Sequence, residues 1–409
     1  MVEDLSAVGL TSIATVIACL LLAACNAGVV SPSPAASSSA QVTAVPSVPA
    51  TPEPAPAFVN KSAVTVASGN ASDLAIADLN EDGKLDIVTT SHFSGVVILF
   101  GSGDGKFTAG PNIDVAASEF VRAVDLNSDT HVDLVATGDQ IAVLLGKGDG
   151  TFAPPAYYPA GSDVSNPAIE LIGLDVADLN ADTIPDVVAM NYLTQQLSVL
   201  LGKGDGTFDA ASLYACTACV EVAAADLDRD GDLDIMAASP GIGPGAIFQN
   251  GVVFAFLNDG AGNLGEPVQY DPLGHAATIA LGDLNGDGAV DVITGNDSSN
   301  SLSVLLGKAD GTLAAAQKYP TGNTHAVAVV DLNDDGMLDV LSGSPEDSKV
   351  WFYRGTGDGG LSETQGIDAM GATTRSLAAA DFNGDGKLDL AVYSLGIQGR
   401  TMVSVFLQN

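Results

Sequence analysis

The stretch "ADFNGDGKLDL", residues 380–390, contains a nine-residue pattern that runs from Asp381 to Asp389. Asp or Asn occupies positions 1, 3, 5 and 9 of this pattern, and position 6 is Gly386. The pattern occurs seven times, with starts at Asp78, Asp125, Asp178, Asp226, Asp283, Asp331 and Asp381. Successive starts are 47, 53, 48, 57, 48 and 50 residues apart. A period in this range is typical of solenoids, propellers and other repeat arrays.

Each repeat has the same internal order of apolar runs and turns. A run of small apolar residues precedes the loop, and two runs rich in Val, Ile and Leu follow it, as in "DVVAMN" (186–191) and "LSVLLG" (197–202). An Asp-Gly turn such as "GKGDGTF" (202–208) then leads to a last extended segment. Short runs bounded by Gly, Asp and Asn are typical of strands, and Asp-Gly turns are typical of hairpins. Four strands per repeat predict the blade of a β-propeller.

The sequence therefore predicts an all-β fold, a seven-bladed β-propeller of four-stranded blades over residues 58–409. The residue before position 1 is always Ala, Gly or Val, which suits inner strands that crowd around a central channel. The chain stops at "VSVFLQN" (403–409), the third strand of the last repeat. We expect "FVNKSAVTVASG" (58–69) to supply the fourth strand of that blade. Such a closure removes the open sheet edge.

The N-terminal region predicts export. Residues 1–25 contain an apolar run that ends in Leu22-Ala23-Ala24-Cys25, which resembles the lipobox of bacterial lipoproteins and implies lipidation of Cys25. The first residues carry Glu3 and Asp4, whereas signal peptides begin with a positive region. Residues 26–57 hold seven of the 19 prolines and predict a disordered tether. We expect a protein of the cell surface or periplasm, lipid-anchored or otherwise secreted.

The charge of the chain limits the classes of partner. The formal net charge is −36, and 25 of the 50 acidic residues lie inside the seven nine-residue loops. Only 14 residues are Lys or Arg. Nucleic acid is excluded as a partner because its binding depends on Lys and Arg at phosphates. We expect a monomeric head that touches the membrane only through the N-terminal anchor.

Two cysteines, Cys216 and Cys219, form "CTAC" between the third and fourth loops. A zinc site would need two further ligands of this kind nearby. A redox motif would need a thioredoxin-like βαβ context, which the sequence does not contain. The spacing therefore favours a small disulfide that stiffens the link between two blades, as is common outside the cytoplasm.

The nine-residue loops carry oxygen ligands at alternate positions and a turn-forming Gly at position 6, as in the first half of the EF-hand calcium loop. An EF-hand would place a Glu at position 12, where the last repeat has Val392. A strand rather than a helix leaves this loop, so we expect the Asp at position 9 to close the cage. The main-chain carbonyl at position 7 is the expected fifth ligand group, and Ca²⁺ takes about 6–8 oxygens in flexible geometry.

The sequence thus predicts up to seven Ca²⁺ sites. Their predicted side-chain ligands are Asp78, Asn80, Asp82, Asp86, Asp125, Asn127, Asp129, Asp133, Asp178, Asn180, Asp182, Asp186, Asp226, Asp228, Asp230, Asp234, Asp283, Asn285, Asp287, Asp291, Asp331, Asn333, Asp335, Asp339, Asp381, Asn383, Asp385 and Asp389. The carbonyl ligands are those of Lys84, His131, Ile184, Asp232, Ala289, Met337 and Lys387. Sites two and three are doubtful because Thr130 and Thr183 replace the Gly, and site three also has Pro185.

The loops and their strand rhythm resemble the FG-GAP (VCBS-type) repeats, as in the head of integrin α-subunits. The resemblance covers residues 58–409. It implies a seven-bladed propeller with Ca²⁺ held between the first and second strands of a blade. Members of this family include adhesion receptors, lectins and a few carbohydrate-active enzymes, so the fold alone does not determine the function.

The links between blades are predicted to gather on the face opposite the calcium loops. Six polar residues of these links form a candidate ligand mouth of the channel, namely Asp73, Glu119, Glu221, His275, His325 and Arg375. The longest insertions, 160–172 and 239–251, belong to the same face. Variable loops on a rigid scaffold are frequent recognition sites.

Two functions are compatible with this organisation. The first is a non-catalytic binding or adhesion scaffold for a protein or glycan partner. The alternative is a carbohydrate-active enzyme of the lyase or dehydratase type, which should show a convergent cluster of His, Arg and Tyr in one mouth. Aromatic residues that could stack on a sugar are few, with Tyr157, Tyr158 and Trp351 as the candidates.

Overall fold

The computed structural model describes residues 56–68, 71–92, 94–116, 118–161, 171–243, 246–247, 251–344, 348–369, 373–395 and 400–409. These residues form thirty β-strands. The same residues contain no helix that is long and apolar enough to cross a membrane. The predicted export segment, Cys25 and all of the tether before Pro56 lie outside the described residues.

Seven antiparallel sheets of four strands form the blades. Their innermost strands are β2 (Ala71–Ala77), β6 (Val121–Val124), β10 (Leu171–Ala177), β14 (Glu221–Ala225), β20 (His275–Gly282), β24 (Ala326–Val330) and β28 (Thr373–Ala380). The second strands are β3 (Asp86–Ser91), β7 (Asp133–Ala136), β11 (Asp186–Asn191), β15 (Asp234–Ser239), β21 (Asp291–Asp297), β25 (Asp339–Ser344) and β29 (Asp389–Leu395).

The third and fourth strands complete each blade toward the rim. The third strands are β4 (Gly95–Gly101), β8 (Ile141–Leu144), β12 (Gln196–Leu200), β18 (Val252–Phe256), β22 (Ser301–Leu305), β26 (Lys349–Gly355) and β30 (Arg400–Gln408). The outermost strands are β5 (Phe107–Ile113), β9 (Ala156–Tyr158), β13 (Ser212–Ala215), β19 (Val268–Tyr270), β23 (Gln317–Pro320), β27 (Leu361–Asp368) and β1 (Phe58–Ser68).

The predicted closure of the ring is confirmed. β1 pairs antiparallel with β30 from Phe58 opposite Gln408 to Ser68 opposite Arg400. The main-chain N–H of Asn409 donates to the carbonyl of Ala57 at 2.9 Å, which extends the pairing past the end of the strand. The inner strands β28 and β2 lie in contact. The first and last blades are therefore neighbours, and the last sheet contains both ends of the propeller.

The apolar core lies between neighbouring blades rather than at the centre of the ring. Ile98 of blade one and Leu134 of blade two are both fully buried and belong to one cluster. Every residue of the second strands β3, β11, β15 and β25 is buried. This burial on both faces explains why each of these strands has two adjacent residues of Val, Ile, Leu or Met directly after its first Asp. Each buried Val, Leu or Ile contributes about 1.5–3 kcal/mol.

Blade four carries the largest departure from the repeat. Its second and third strands are joined through the insertion 239–251, within which β16 (Ile242–Gly243) pairs with β17 (Ala246–Ile247). The other long insertion, 160–172, is described only at its two ends. In the link from β13 to β14, Cys216 and Cys219 are joined by a disulfide and are fully buried.

The pairing of β1 with β30 predicts that the clasp stabilises the whole ring. Deletion of residues 58–68 would expose the edge of β30 and the apolar faces that contact Val64 and Val66. We expect the melting temperature to fall by about 5 °C or more. Deletion of residues 26–55 is the matched control and should leave the melting temperature unchanged. Equal effects of the two deletions would contradict the stabilising role of the clasp.

Candidate metal sites and the opposite channel mouth

The nine-residue loops are organised by main-chain N–H groups that bond to their own acidic side chains. In the seventh loop, the N–H groups of Asp385 and Gly386 donate to the Asp381 carboxylate at 3.2 and 2.8 Å. Asn383 Oδ1 accepts from the N–H of Asp385 at 2.8 Å. Asp385 Oδ1 accepts from the N–H of Lys387 at 2.9 Å. The side-chain oxygens of positions 1, 3 and 5 are therefore held in place by main-chain N–H groups of their own loop.

All seven loops share this architecture. The N–H of position 6 donates to the carboxylate of position 1 in every loop, at 2.7–3.2 Å. Loops two and three are included even though their position 6 is Thr130 or Thr183. The backbone path of the doubtful loops is thus the same as that of the five loops that have Gly.

Position 9 has a role that the sequence does not reveal. Both carboxylate oxygens of Asp86 accept buried N–H bonds, one from Leu79 in the loop at 3.0 Å and one from Gly101 at the end of the third strand at 2.8 Å. The same pair of bonds recurs in every blade, at 2.8–3.1 Å to the loop and 2.6–2.9 Å to the third strand. The acceptors of the other blades are Asp133, Asp186, Asp234, Asp291, Asp339 and Asp389.

The residue that donates from the third strand is usually glycine because the backbone is close there. A Cβ on Gly101 would lie 2.1 Å from the carbonyl oxygen of Leu85. Blade four has Asn258 at this place, and its Nδ2 donates to the carbonyls of Leu179 at 2.6 Å and Leu233 at 3.0 Å. Leu179 belongs to the loop of blade three, so this side chain also ties two blades together.

Loop four has the most concentrated set of carboxylates. Ligand oxygens of Asp226, Asp228 and Asp234 all lie within 4.8 Å of one another. Burial raises the pKa of Asp234 to about 6, and the neighbouring charges of Asp228 and Asp230 add to this rise. A cluster of this kind could hold a metal ion, and its all-oxygen donor set fits a hard cation such as Ca²⁺. In the other six loops position 3 is Asn, which offers an amide oxygen.

The two threonines at position 6 adopt the left-handed conformation that favours glycine. Their φ angles are 74° for Thr130 and 69° for Thr183, close to 85° for Gly386. A Cβ on Gly386 would meet nothing within 4 Å. The penalty of a threonine is therefore backbone strain alone, about 1–2 kcal/mol for an L-residue in this region.

Neighbouring loops contact each other through exposed side chains. His131, at position 7 of loop two, directs its side chain to Glu81 of loop one. Arg229 of loop four donates to the carbonyl of Asp287 in loop five at 2.7 Å and to its Oδ1 at 3.2 Å. Exposed pairs of this kind contribute little to stability because the solvent screens their charges. They connect loop one to loop two and loop four to loop five.

Two of the six residues of the predicted mouth lie inside the wall of the channel. Asp73 is fully buried and accepts from Arg122 Nη1 at 2.9 Å and from the N–H of Leu74 at 2.7 Å. Arg122 Nε also lies 3.6 Å from Asp175 Oδ1. Glu221 is fully buried and accepts from the N–H of Ile279 at 3.1 Å. These groups link inner strands of different blades and are not exposed to a ligand.

Three other mouth residues, Glu119, His325 and Arg375, lie at the end of the channel opposite the nine-residue loops, which are called the metal loops below. Burial lowers the pKa of Arg375 to about 10, and the charges of Asp297 and Glu119 oppose this shift. Glu119 Oε1 lies 2.9 Å from His92 Nδ1. His325 Nε2 lies 3.2 Å from Asp297 Oδ1. Arg375 Nη1 and His325 Nδ1 are buried and have no hydrogen-bond partner among the described residues.

The sixth mouth residue, His275, supports the insertion of blade four. Its Nδ1 lies 2.7 Å from the carbonyl oxygen of Pro240, and its main-chain N–H donates to Ser299 Oγ at 3.2 Å. A polar residue that sequence reasoning missed is Asp175, which faces Arg122 from blade three. Its signal is a lone carboxylate inside the apolar run "LIGLDVA" (171–177).

Tyr393 lies next to the mouth but is sealed from solvent. Its hydroxyl donates to the carbonyl of Thr90 at 2.9 Å, and burial raises its pKa to about 12. A phenol of this kind is a poor proton donor or acceptor near neutral pH. His325 and Arg375 thus lie in the mouth, whereas the neighbouring Tyr393 is buried and does not form an open site with them.

Two cavities occur on opposite faces of the described propeller. The larger, about 610 Å³, lies among the loops of blades six and seven and is lined by residues such as Pro56, Asp331 and Lys387. The smaller, about 210 Å³, is lined by Ala116, Asp139, Gln140 and Tyr157. It lies at the turn between β7 and β8, on the face opposite the metal loops.

The sequence repeat that contains these loops matches the model of a known family. The model of the FG-GAP-like repeat matches residues 78–136, 125–189, 178–237, 283–342 and 331–392. The chain belongs to the FG-GAP-like repeat family. Each matched FG-GAP-like segment runs from one metal loop through the next. The interval from 238 to 282, which the matches leave out, contains the insertion of blade four and the longest spacing between loops.

Solved structures with a similar fold are distant in sequence. The structure of BBS1N in complex with ARL6DN is 11% identical, covers 86% of this chain and 97% of its own, and has a TM-score of 0.61. A lectin of Agrocybe aegerita that recognises non-reducing terminal N-acetylglucosamine is 21% identical, covers 75% of this chain and 81% of its own, and has a TM-score of 0.53. At these identities the likeness shows the fold alone. No curated protein sequence matches the chain.

The buried bonds of position 9 predict that its Asp stabilises the FG-GAP-like blade even without metal. In EDTA, Asp389→Ala leaves the N–H groups of Phe382 and Gln408 without their acceptor. We expect the free energy of unfolding to fall by about 2 kcal/mol or more. The control is Asp385→Ala, at exposed position 5, which should change it by less than about 1 kcal/mol. Similar losses for both variants would contradict the structural role of position 9.

The shared backbone path predicts an asymmetric result for exchanges at position 6. In EDTA, Gly386→Thr should lower the free energy of unfolding by about 1 kcal/mol because of the strained φ. Thr183→Gly relieves the same strain but makes the unfolded chain more flexible, so it should be neutral or stabilising by less than about 1 kcal/mol. Denaturant unfolding measures both. Destabilisation by Thr183→Gly as large as that by Gly386→Thr would contradict the strain argument.

Proposed function

We propose that the chain is an exported, calcium-binding β-propeller that acts as a non-catalytic binding or adhesion scaffold for a protein or glycan partner. The observation that carries this proposal is the contrast between the two faces. One face presents seven loops with the same oxygen-lined backbone. The opposite face differs from blade to blade in loop length, in its disulfide and in its polar side chains.

Calcium is the cation that best fits the loops. The donors are carboxylate, amide and carbonyl oxygens, which suit a hard cation of flexible coordination. FG-GAP propellers commonly bind Ca²⁺, and the chain belongs to that family. Seven Ca²⁺ would change the formal net charge from −36 to −22 and would reduce the repulsion among acidic groups within each loop. The role of the ion in this proposal is to stabilise the loops that connect the first and second strands.

Export and anchoring are supported by the N-terminal sequence. The apolar run that ends in Cys25 and the proline-rich segment after it are typical of a membrane anchor followed by a tether. A disulfide between Cys216 and Cys219 is suited to an oxidising compartment. These features support a location at the cell surface or in the periplasm.

The alternative of a carbohydrate-active enzyme has weaker support. The carboxylates of Asp73 and Glu221 are buried and accept hydrogen bonds from neighbouring blades. Tyr393 is buried against Thr90. A catalytic acid or base must reach the proton that it transfers. Asp73 pairs with Arg122, Glu221 with the N–H of Ile279 and His275 with the carbonyl of Pro240, which supports a structural role for these three residues.

The calcium part of the proposal predicts a stabilised native state, since a ligand that binds only the folded chain raises its stability by mass action. The melting temperature of the full chain should be clearly higher in calcium than in EDTA. Asp385→Ala should remove one bound Ca²⁺ and part of this difference. The matched variant Asp182→Ala should have a smaller effect because its loop contains the strained Thr183. An identical melting temperature in calcium and in EDTA would refute the calcium role.

The binding part of the proposal requires a partner that depends on the folded, calcium-loaded head. The test is a glycan array together with binding to purified cell-surface protein and glycan fractions, each in calcium and in EDTA. We expect saturable binding in calcium that is lost when EDTA unfolds the loops. Turnover of a glycan substrate by the wild-type chain, without a stable complex, would favour the enzyme alternative.

A further inference from the structure

The outer strands carry a tyrosine that recurs from blade to blade and has a structural role. Tyr158 pairs with Ile141 across the sheet, and Tyr214, Tyr270 and Tyr319 occupy the same register with Leu197, Val253 and Leu302. The Tyr158 hydroxyl donates to the carbonyl of Gly206 at 3.3 Å, and its ring packs edge-on against Phe208 at 5.3 Å. The hydroxyls of Tyr214 and Tyr319 accept from main-chain N–H groups of the next blade. Tyr158, Tyr214 and Tyr319 thus connect blades two, three and five to the blade that follows.

Tyr157 does not belong to that set. It is the preceding residue and pairs with Ala142, so its side chain lies on the other side of the sheet. The equivalent positions of blades three, four and five hold Leu213, Gln269 and Lys318. The side chain of Tyr157 is 47% exposed. The repeat therefore gives no structural reason for an aromatic ring at this position.

The exposed ring forms one wall of the smaller cavity. Asp139 and Gln140, in the turn between β7 and β8, and Ala116, in the link from blade one to blade two, form the rest of its lining. Asp139 and Gln140 are exposed, so their carboxylate and amide can bond to a ligand. The arrangement combines an apolar aromatic face with two planar polar groups, as in sites for small polar ligands.

The size and charge of the cavity limit its occupant. Its volume of about 210 Å³ is below the range of about 300–1,000 Å³ for drug-sized ligands, so it fits a single ring rather than a peptide. The net charge of −36 and the carboxylate of Asp139 disfavour anionic sugars. A neutral sugar ring has an apolar face for Tyr157 and hydroxyls that can donate to Asp139 and exchange hydrogen bonds with Gln140.

The other candidates have less support. The larger cavity is lined by no aromatic side chain. Its lining comes from the loops of blades six and seven, from Pro56 and Ala57 before β1 and from the end of β30. Arg375 Nη1 and His325 Nδ1 have no hydrogen-bond partner in the described part of the chain, but both atoms are buried and a ligand could not reach them without a rearrangement. Tyr158 is packed against Phe208, and Trp351 lies under the Lys349 ammonium at 5.0 Å. Tyr157 is thus the candidate aromatic with a ring that faces an open pocket.

We infer that this pocket is a glycan-binding site for one neutral monosaccharide residue, with its ring stacked on Tyr157 and its hydroxyls bonded to Asp139 and Gln140. The inference rests on the proposed function and specifies the ligand class and the place where it binds. The main-chain N–H of Leu171, at the start of β10, donates to the carbonyl of Gly138 beside the pocket at 3.4 Å.

The test uses the full chain in calcium and the methyl glycosides of glucose, galactose, mannose and N-acetylglucosamine as probes, followed by saturation-transfer NMR and titration. We expect at least one probe to bind. Tyr157→Ala should weaken it at least tenfold, and Tyr157→Phe should retain most of the affinity because the stacking face is kept. Asp139→Asn should weaken binding several-fold. Lys318→Ala, at the same register in blade five, is the matched control and should leave binding unchanged.

The outcomes separate this site from the broader proposal. Binding of a probe that is unaffected by Tyr157→Ala would overturn the pocket and leave glycan binding by the scaffold standing. Failure of every neutral probe, with binding of a protein partner instead, would overturn the pocket and leave the scaffold function standing. Binding of tetramethylammonium in the Tyr157 pocket in place of sugars would also overturn the inference. Circular dichroism and calcium-dependent melting of each variant verify that the fold is intact.

Discussion

The carboxylate of position 9 connects the parts of each blade. It is buried at the start of the second strand, and its two oxygens accept one N–H from the metal loop and one from the end of the third strand. Removing this group would leave two buried donors without partners, at about 1–3 kcal/mol each. In each of the seven blades, one side chain thus holds together the loop before it, the strand that it begins and the turn after the third strand.

The sequence was sufficient to predict the ring because its periodicity is carried by local residues. The loop pattern, the alternation of apolar runs and the Asp-Gly turns identify seven four-stranded blades. The absence of a fourth strand after "VSVFLQN" predicts the pairing of β1 with β30. The partners of the buried polar groups could not be predicted in this way. Gly101 lies 15 residues after Asp86, and Arg122 meets Asp73 from another blade.

The candidate site was predictable to different degrees on the two faces. On the metal side, each set of loop oxygens lies within nine residues, so the spacing indicates a cage directly. The threonines of loops two and three show the limit, because the surrounding hydrogen bonds impose a positive φ that propensity disfavours. On the opposite side, sequence placed six residues in one mouth. Burial separates them into wall residues such as Asp73 and rim residues such as Glu119.

The clasp also determines the face of the propeller at which β1 begins. Ala57 bonds to Asn409, and Pro56 lies beside Asp331 and Lys387 of the last two metal loops. The chain therefore enters the propeller beside the acidic loops rather than beside the channel mouth with the Tyr157 pocket. Divalent ions bound in these loops would reduce the repulsion between this face and any anionic surface, so the two faces of the ring would respond differently to such ions.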